Sequence, residues 1–450
     1  MKTLISSRVR RLFKEGSWVI FGQIIAFIGA LAQVRILTEY LEPSIYGQLA
    51  LGLTIATLIN QTVMAGVTPG IGRFYAVAAE KDDIQRYLYA SRLMMGFATL
   101  CVFLIALLLI AILFYFDYKE WIGLALAALA FAVFSAYSGA LSSIQNAARQ
   151  RAIVAAHSGF DAWLKIGLAL VCMLWLGNTS TAVATGFALS AMLITASQLI
   201  FLKRLIGSWQ AKNQSIDSEN WLNQIWADSE TWVKQIWAYS SPFLAWGLFG
   251  WAQQSSARWA LGVYSSTADV GFFAVLSQLG YAPLLLLTTL ALTFLTPILF
   301  ARAGDATSGV RNDNVNTFMI RIIIGGVLFA FSATAFTALF HEDIFKLLVS
   351  DNYQLNSHYL PYMAFAGGVF STAQVIATLP MCLNRPKSLL KASIGSSLIG
   401  IAASFLGVYF FSIQGAVAAM LIHSISYFVF CCFSARKAQK ESLEQLSEVV

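Results

Sequence analysis

Runs of about 20 apolar residues recur from near the start of this chain to near its end. Each is long enough, at about 1.5 Å of rise per residue, to cross a hydrocarbon layer of roughly 30 Å as a helix. Of the 450 residues, 58% are hydrophobic and 11% charged, where soluble domains carry about 45 to 50% and about 25%. The chain therefore reads as an integral membrane protein. A membrane β-barrel would alternate polar and apolar residues in strands of about ten, a pattern not seen here, so the expected fold class is all-α and polytopic. The first apolar run is full length and lacks the short core and small-residue cleavage pattern of a signal peptide, so it is expected to stay in the membrane.

Twelve spans are expected, over residues 16–37, 47–77, 87–116, 121–144, 153–176, 182–202, 238–262, 270–300, 318–340, 359–383, 389–411 and 415–433. Most connections are short and marked by Gly, Pro, Ser and charge clusters. Placing successive connections on alternate sides puts all but five of the 29 lysines and arginines on the amino-terminal side. By the positive-inside rule both termini are then cytoplasmic, consistent with an even number of spans. The exceptions are Lys119 and Lys346 in opposite-side loops and Arg35, Lys165 and Arg258 within or at the ends of helices. Topology thus accounts for the net charge of +7, which points to no nucleic-acid partner.

The longest connection carries Trp209, Trp221, Trp226, Trp232 and Trp237 among polar residues and divides six spans from six. The expected organisation is an N-terminal six-helix bundle over 1–203, a linker over 204–237, a C-terminal six-helix bundle over 238–434 and a cytoplasmic tail over 435–450. Because tryptophan favours the headgroup layer, the linker is expected to be partly helical and interfacial on the cytoplasmic side. Cys101, Cys172, Cys382, Cys431 and Cys432 all fall in apolar segments without metal-ligand spacing, so they read as packing residues rather than disulfide or metal partners.

The two halves carry a repeated pattern. Arg35 ends the first span, a loop with acidic residues follows, and Gly47 opens the second; Arg258 ends the seventh span and Gly271 opens the eighth. Arg258 follows Arg35 by 223 residues and Gly271 follows Gly47 by 224, while Pro69 and Pro297 keep the relation loosely at 228. Each half has an even number of spans, so the copies keep one orientation and are expected to be related by a pseudo-two-fold axis along the membrane normal.

The pattern Arg35-Ile-Leu, then Tyr40-Leu-Glu-Pro-Ser-Ile-Tyr-Gly47, then an apolar helix ending Ala65-Gly66 before Arg73-Phe74, resembles the start of the Wzx-type lipid-linked oligosaccharide flippases. These belong to the multidrug/oligosaccharidyl-lipid/polysaccharide superfamily. The segment from Gln145 to Arg151 is similar to the same family, and the twelve-span count extends the likeness over the whole chain. The resemblance implies a bacterial inner-membrane protein that moves undecaprenyl-pyrophosphate-linked sugar repeat units from the cytoplasmic to the periplasmic leaflet, for O-antigen or another surface polysaccharide. Its expected partners are that substrate, membrane lipids and the polysaccharide polymerase machinery. No cofactor is implied, and the energy would come from an H+ or Na+ gradient or the membrane potential.

A pyrophosphate-linked glycan needs a polar, preferably cationic, path through hydrocarbon. Arg35 and Arg258 lie about 28 and about 30 Å along their spans, near the periplasmic rim. They fit two readings: anchors that snorkel or pair locally, Arg35 with Glu39, or substrate-binding cations, the latter favoured by Gln33 beside Arg35 and by Gln253, Gln254, Ser255 and Ser256 before Arg258. In the fifth span His157, Asp161 and Lys165 are four apart and share one face near mid-membrane. Either Asp161 and Lys165 neutralise each other structurally, or this face lines a hydrated cavity in which Lys165 attracts phosphate and Asp161 or His157 changes protonation. The functional expectation is that Arg35, Arg258, Lys165 and Asp161 line one anion-accepting cavity. His423 stands alone and reads as a helix contact. Pro69, Pro283 and Pro297 would serve either as hinges for alternating access or as static kinks.

Other functions fit less well. No G-x-x-x-x-G-K-[ST] phosphate loop is present, which speaks against an ATP-driven pump. A cation-coupled multidrug exporter of the same superfamily would want unpaired carboxylates, whereas the intramembrane charges here are three basic and one acidic. A membrane glycosyltransferase or polymerase needs a sizeable extramembrane site. The largest periplasmic loop, 341–358, offers only Glu342, Asp343, Lys346 and Asp351, best read as solvated.

Overall fold

A computed structural model describes the backbone of residues 2–210, 221–303, 309–382 and 387–449. Fourteen α-helices follow one another, and no strand occurs among the described residues. They are α1 (Lys2–Tyr40), α2 (Pro43–Gln61), α3 (Thr68–Glu80), α4 (Ile84–Tyr115), α5 (Ile122–Ala147), α6 (Arg151–Leu176), α7 (Ser180–Gln210), α8 (Trp221–Tyr264), α9 (Thr267–Leu276), α10 (Ala282–Ala303), α11 (Gly309–Leu348), α12 (Leu360–Ile376), α13 (Thr378–Cys382) and α14 (Lys387–Val449). Every expected span is found as helix, some of them in pieces.

Among the described residues nine helical segments are long and apolar enough to cross a membrane. The last of these, Leu389–Lys440, holds two expected spans, because Ser412 leaves the helical region at φ 50° and ψ −128° and turns the chain within α14. The second expected span is not continuous: helix stops at Gln61 and resumes at Thr68. Pro69 sits in the first turn of α3, where its missing N–H would be unpaired in any case, so it starts a helix rather than bending one. Ahead of Pro283 a π-turn over Ser277–Tyr281 joins α9 to α10, and α10 runs on as helix through Pro297. Pro242 lies inside α8.

The chain forms two compact units. The first comprises Met1–Gln33 and Gly52–Leu248, the second Val34–Leu51 and Phe249–Val450. In the first unit α5 and α6 both pack on α7, and an apolar core gathers Ile59, Ile71, Tyr87, Leu129, Trp232 and Ile236. Trp232 differs from the headgroup-layer expectation. Its side chain is 4% exposed, its Nε1–H donates to Asp83 Oδ2 at 2.8 Å, and the Phe74 and Tyr87 rings meet it edge-on. Trp237, five residues further on, is 49% exposed. The side chains of Trp209, Trp221 and Trp226 lie outside the described residues.

In the second unit α12 packs against α11 and α14, and Met319, Ala373, Ile376, Tyr427 and Cys431 share an apolar cluster. The segment Val34–Leu51 is fastened here by hydrogen bonds: Tyr353 Oη donates to the Leu41 carbonyl at 2.9 Å, and the Ser350 N–H donates to Thr38 Oγ1 at 3.2 Å. Cys101, Cys172, Cys431 and Cys432 are free thiols, and Cys382 has no described side chain.

Candidate functional site

In the first unit the four-residue spacing on α6 places His157, Asp161 and Lys165 on one helical face. Lys165 Nζ lies 2.6 Å from Asp161 Oδ2, and Ser190 on α7 donates to Asp161 Oδ1 at 2.9 Å, so both carboxylate oxygens are engaged. The Lys165 ammonium also stands 5.3 Å from the centre of the Phe131 ring. With side-chain exposures of 23% and 24%, the two charges compensate each other where water is scarce.

His157 is fixed in the same way. Its Nδ1 is 2.8 Å from the Ile153 carbonyl, which can only accept, so Nδ1 carries a proton; Nε2 faces the Ser197 hydroxyl at 3.0 Å. This face is a closed set of pairs among α5, α6 and α7.

Arg35 and Arg258 belong to the second unit. Arg35 pairs with Glu39 one turn on, Nη1 to Oε2 at 3.0 Å, and both side chains are exposed, at 42% and 55%. Arg35 Nη1 makes no aligned hydrogen bond, so charge rather than directed N–H donation holds the pair. Arg258 is in a different position. It is half-buried on α8, and among the described residues no carboxylate forms an ion pair with it. Its Nε is enclosed and has no hydrogen-bond partner.

Beside Arg258 lies Tyr46, 2% exposed, whose hydroxyl interacts electrostatically with the guanidinium and donates to Gln278 Oε1 at 2.9 Å. Gln278 comes from the π-turn, a wider coil that re-aims one residue out of the helical register. Sequence reasoning missed Tyr46 and Gln278. They are 232 residues apart, and a π-turn has no readable local signature.

The remaining expectations resolve simply. His423 is 3% exposed, with Nδ1 3.1 Å from the Ser396 carbonyl and its ring beside the stacked rings of Phe370 and Tyr427, a hydrogen-bonded helix contact. Glu342, Asp343, Lys346 and Asp351 are all exposed, Glu342 and Lys346 as a loose pair at 3.8 Å.

No family model and no curated protein matches this sequence. Solved structures do match it along nearly the whole length. A variant of the Vibrio cholerae MATE transporter VcmN has 15% identity over 97% of this chain and 98% of its own, with a TM-score of 0.61. The lipid II flippase MurJ, in an inward closed conformation, has 12% identity over 97% and 92%, with a TM-score of 0.64. A MOP superfamily transporter from Pyrococcus furiosus has 16% identity over 98% and 93%, with a TM-score of 0.56. The chain is thus a multi-pass helical membrane protein with the fold of these MOP superfamily transporters.

Proposed function

We propose that the protein is a transporter that flips a lipid-linked oligosaccharide, an undecaprenyl-pyrophosphate-linked repeat unit, from the cytoplasmic to the periplasmic leaflet of a bacterial inner membrane. The observation that carries this reading is Arg258: a guanidinium held half-buried on α8, in the seventh expected span, with an enclosed, unpartnered Nε and no paired carboxylate among the described residues. An uncompensated cation at such a position is costly alone and is relieved by an anion. A diphosphate offers acceptors that match the guanidinium fork. Tyr46 and Gln278 hold polar atoms beside it that suit an oxygen-rich headgroup.

The fold supports a transporter, and one structure that shares it is a lipid II flippase. Movement would follow alternating access, with the surface polysaccharide and its polymerase as the downstream consumers. A cation-coupled multidrug exporter is the second reading, since matching structures include a multidrug resistance MATE family transporter. It is weakened because the carboxylate on the α6 face, Asp161, is already neutralised by Lys165.

The test is reconstitution of the full chain in vesicles with a fluorescent undecaprenyl-pyrophosphate disaccharide, following loss of signal to an external quencher. Protein-dependent flipping that Arg258→Ala reduces at least tenfold supports the reading. Equal rates for the two proteins would refute it.

A further inference from the structure

Between α1 and α6, within the first unit, lies an apolar groove of about 410 Å³ to which the preceding reading gives no part. Trp18, Phe21, Phe160 and Trp163 stand around it, all exposed, while Gly22, Ala155 and Gly159 beneath them are buried. No charged side chain is in the lining.

The two helices meet along small residues. A Cβ on Gly22 would stand 2.7 Å from that of Ala155, one on Gly29 2.8 Å from that of Ala162, and one on Gly159 3.1 Å from Ile25 Cγ2. Close approach of membrane helices is the first role of such residues. It also leaves the floor of the groove without projecting side chains, so the rings beside it bound a channel. Those walls are stiff: aromatic side chains have few rotatable bonds, and Trp18 meets Phe21 edge-on with ring centres 6.3 Å apart. The exposed face of α4 is different, with Leu100, Leu104, Leu107 and Leu108 projecting as flexible side chains that any acyl chain can wet.

Topology gives the depth of the groove. Trp18 to Ile25 fall within about 14 Å of Gly16, where the first span begins, and Ala155 to Phe160 within about 14 Å of Arg151, where α6 begins. The positive-inside rule makes both starts cytoplasmic, so the groove lies in the cytoplasmic half of a layer roughly 30 Å thick. The chain is strongly basic just beyond that end. Arg8, Arg10, Arg11 and Lys14 precede Trp18 on α1, and Arg149 and Arg151 stand where α6 starts.

That density of positive charge exceeds what the single charge of a phosphodiester headgroup calls for and suits a diphosphate. The groove adds a second selection. A polyprenyl chain carries methyl branches that need width and double bonds that lie well against ring faces, whereas a straight acyl chain needs neither.

We propose that this groove seats the polyprenyl chain of a diphosphate-linked lipid in the cytoplasmic leaflet, with the basic ends of α1 and α6 at its headgroup, as a loading site for the cargo. It rests on the flippase reading and adds where the cargo first binds.

The test is native mass spectrometry of the purified full chain with undecaprenyl diphosphate, which needs no transport. Ala156→Trp fills the groove from an exposed position, and Leu174→Trp places the same ring at the far, 85% exposed end of α6. Retained lipid that Ala156→Trp lowers at least tenfold and Leu174→Trp leaves unchanged supports the site. Should Ala156→Trp fail to fold, Phe160→Ala, which removes a wall, decides by the same criterion. Equal retention by the parent and the groove variant overturns the proposal. So does displacement by phosphatidylglycerol at equal concentration, which marks a groove for ordinary anionic phospholipid, or equal retention of undecaprenol, which leaves the diphosphate without a role. A chain that retains the lipid in this way yet flips none refutes the flippase reading alone; one that flips without dependence on the groove refutes the loading site alone.

Discussion

Gly47 and Gly271 face each other at the crossing of α2 and α9. A Cβ on Gly271 would stand 2.2 Å from the Pro43 carbonyl oxygen and 3.2 Å from the Gly47 nitrogen, and one on Gly47 would stand 1.7 Å from the Thr267 carbonyl oxygen. Each glycine is four residues past the first residue of its helix. The sequence repeat is thus read in space as a backbone-to-backbone contact, which small residues permit between membrane helices. Gly271→Ala is expected to lower stability by about 1 to 3 kcal/mol or to abolish folding, since a methyl would need the backbones to part. Gly167→Ala, whose Cβ meets nothing within 4 Å, is expected to be neutral or slightly stabilising in its helix. Thermal unfolding in detergent would separate the two.

Trp232, about three turns into α8, is held through one polar bond and several ring contacts. Trp232→Phe keeps most of the packing and loses the bond to Asp83, for an expected cost of about 1 to 2 kcal/mol. Trp232→Ala empties a core position and should cost about 3 to 5 kcal/mol. A double-mutant cycle with Asp83→Ala would isolate the hydrogen bond, and an Asp83→Ala effect that adds fully to Trp232→Phe would count against it.

Lys165 and Asp161 should behave as a unit. Lys165→Met leaves a three-quarters-buried carboxylate with only Ser190 for company. We expect a loss of about 1 to 3 kcal/mol, less than for a fully buried pair because some water reaches both groups. Adding Asp161→Asn should recover part of that loss. Unfolding midpoints of the single and double variants measure the coupling directly.

Arg35 and Arg258 occupy matching places in the repeat but should respond differently. Arg35 is in an exposed pair with Glu39, so Glu39→Gln is expected to change stability by under about 1 kcal/mol. At Arg258, lysine keeps the charge and loses the planar fork and its Nε–H. Arg258→Lys is therefore expected to remain defective in the vesicle flipping assay while unfolding near the parent temperature. Full rescue by lysine would show that charge alone is used there.

Much of this architecture was legible in the residues, because its causes are local. Length and apolarity marked out the helices, and glycine and proline marked the connections. The paired spacing of Arg35 with Gly47 and of Arg258 with Gly271 exposed the repeat. The four-residue rhythm of His157, Asp161 and Lys165 placed them on one face, since helical periodicity alone determines that.

Only the tertiary structure decided what those faces meet. It grouped Val34–Leu51 with the C-terminal spans, through bonds from Ser350 and Tyr353 that lie 312 residues away in sequence. It buried Trp232, whose amphipathic ring is equally at home in a headgroup layer or a core. It also set Arg258 beside Tyr46, whose hydroxyl is held by the π-turn glutamine Gln278, with no carboxylate paired to it among the described residues. Sequence sets where a helix can form and which residues share its side. Which polar atoms are left unpaired depends on the neighbours that packing brings, and in a membrane those atoms are where a ligand would bind.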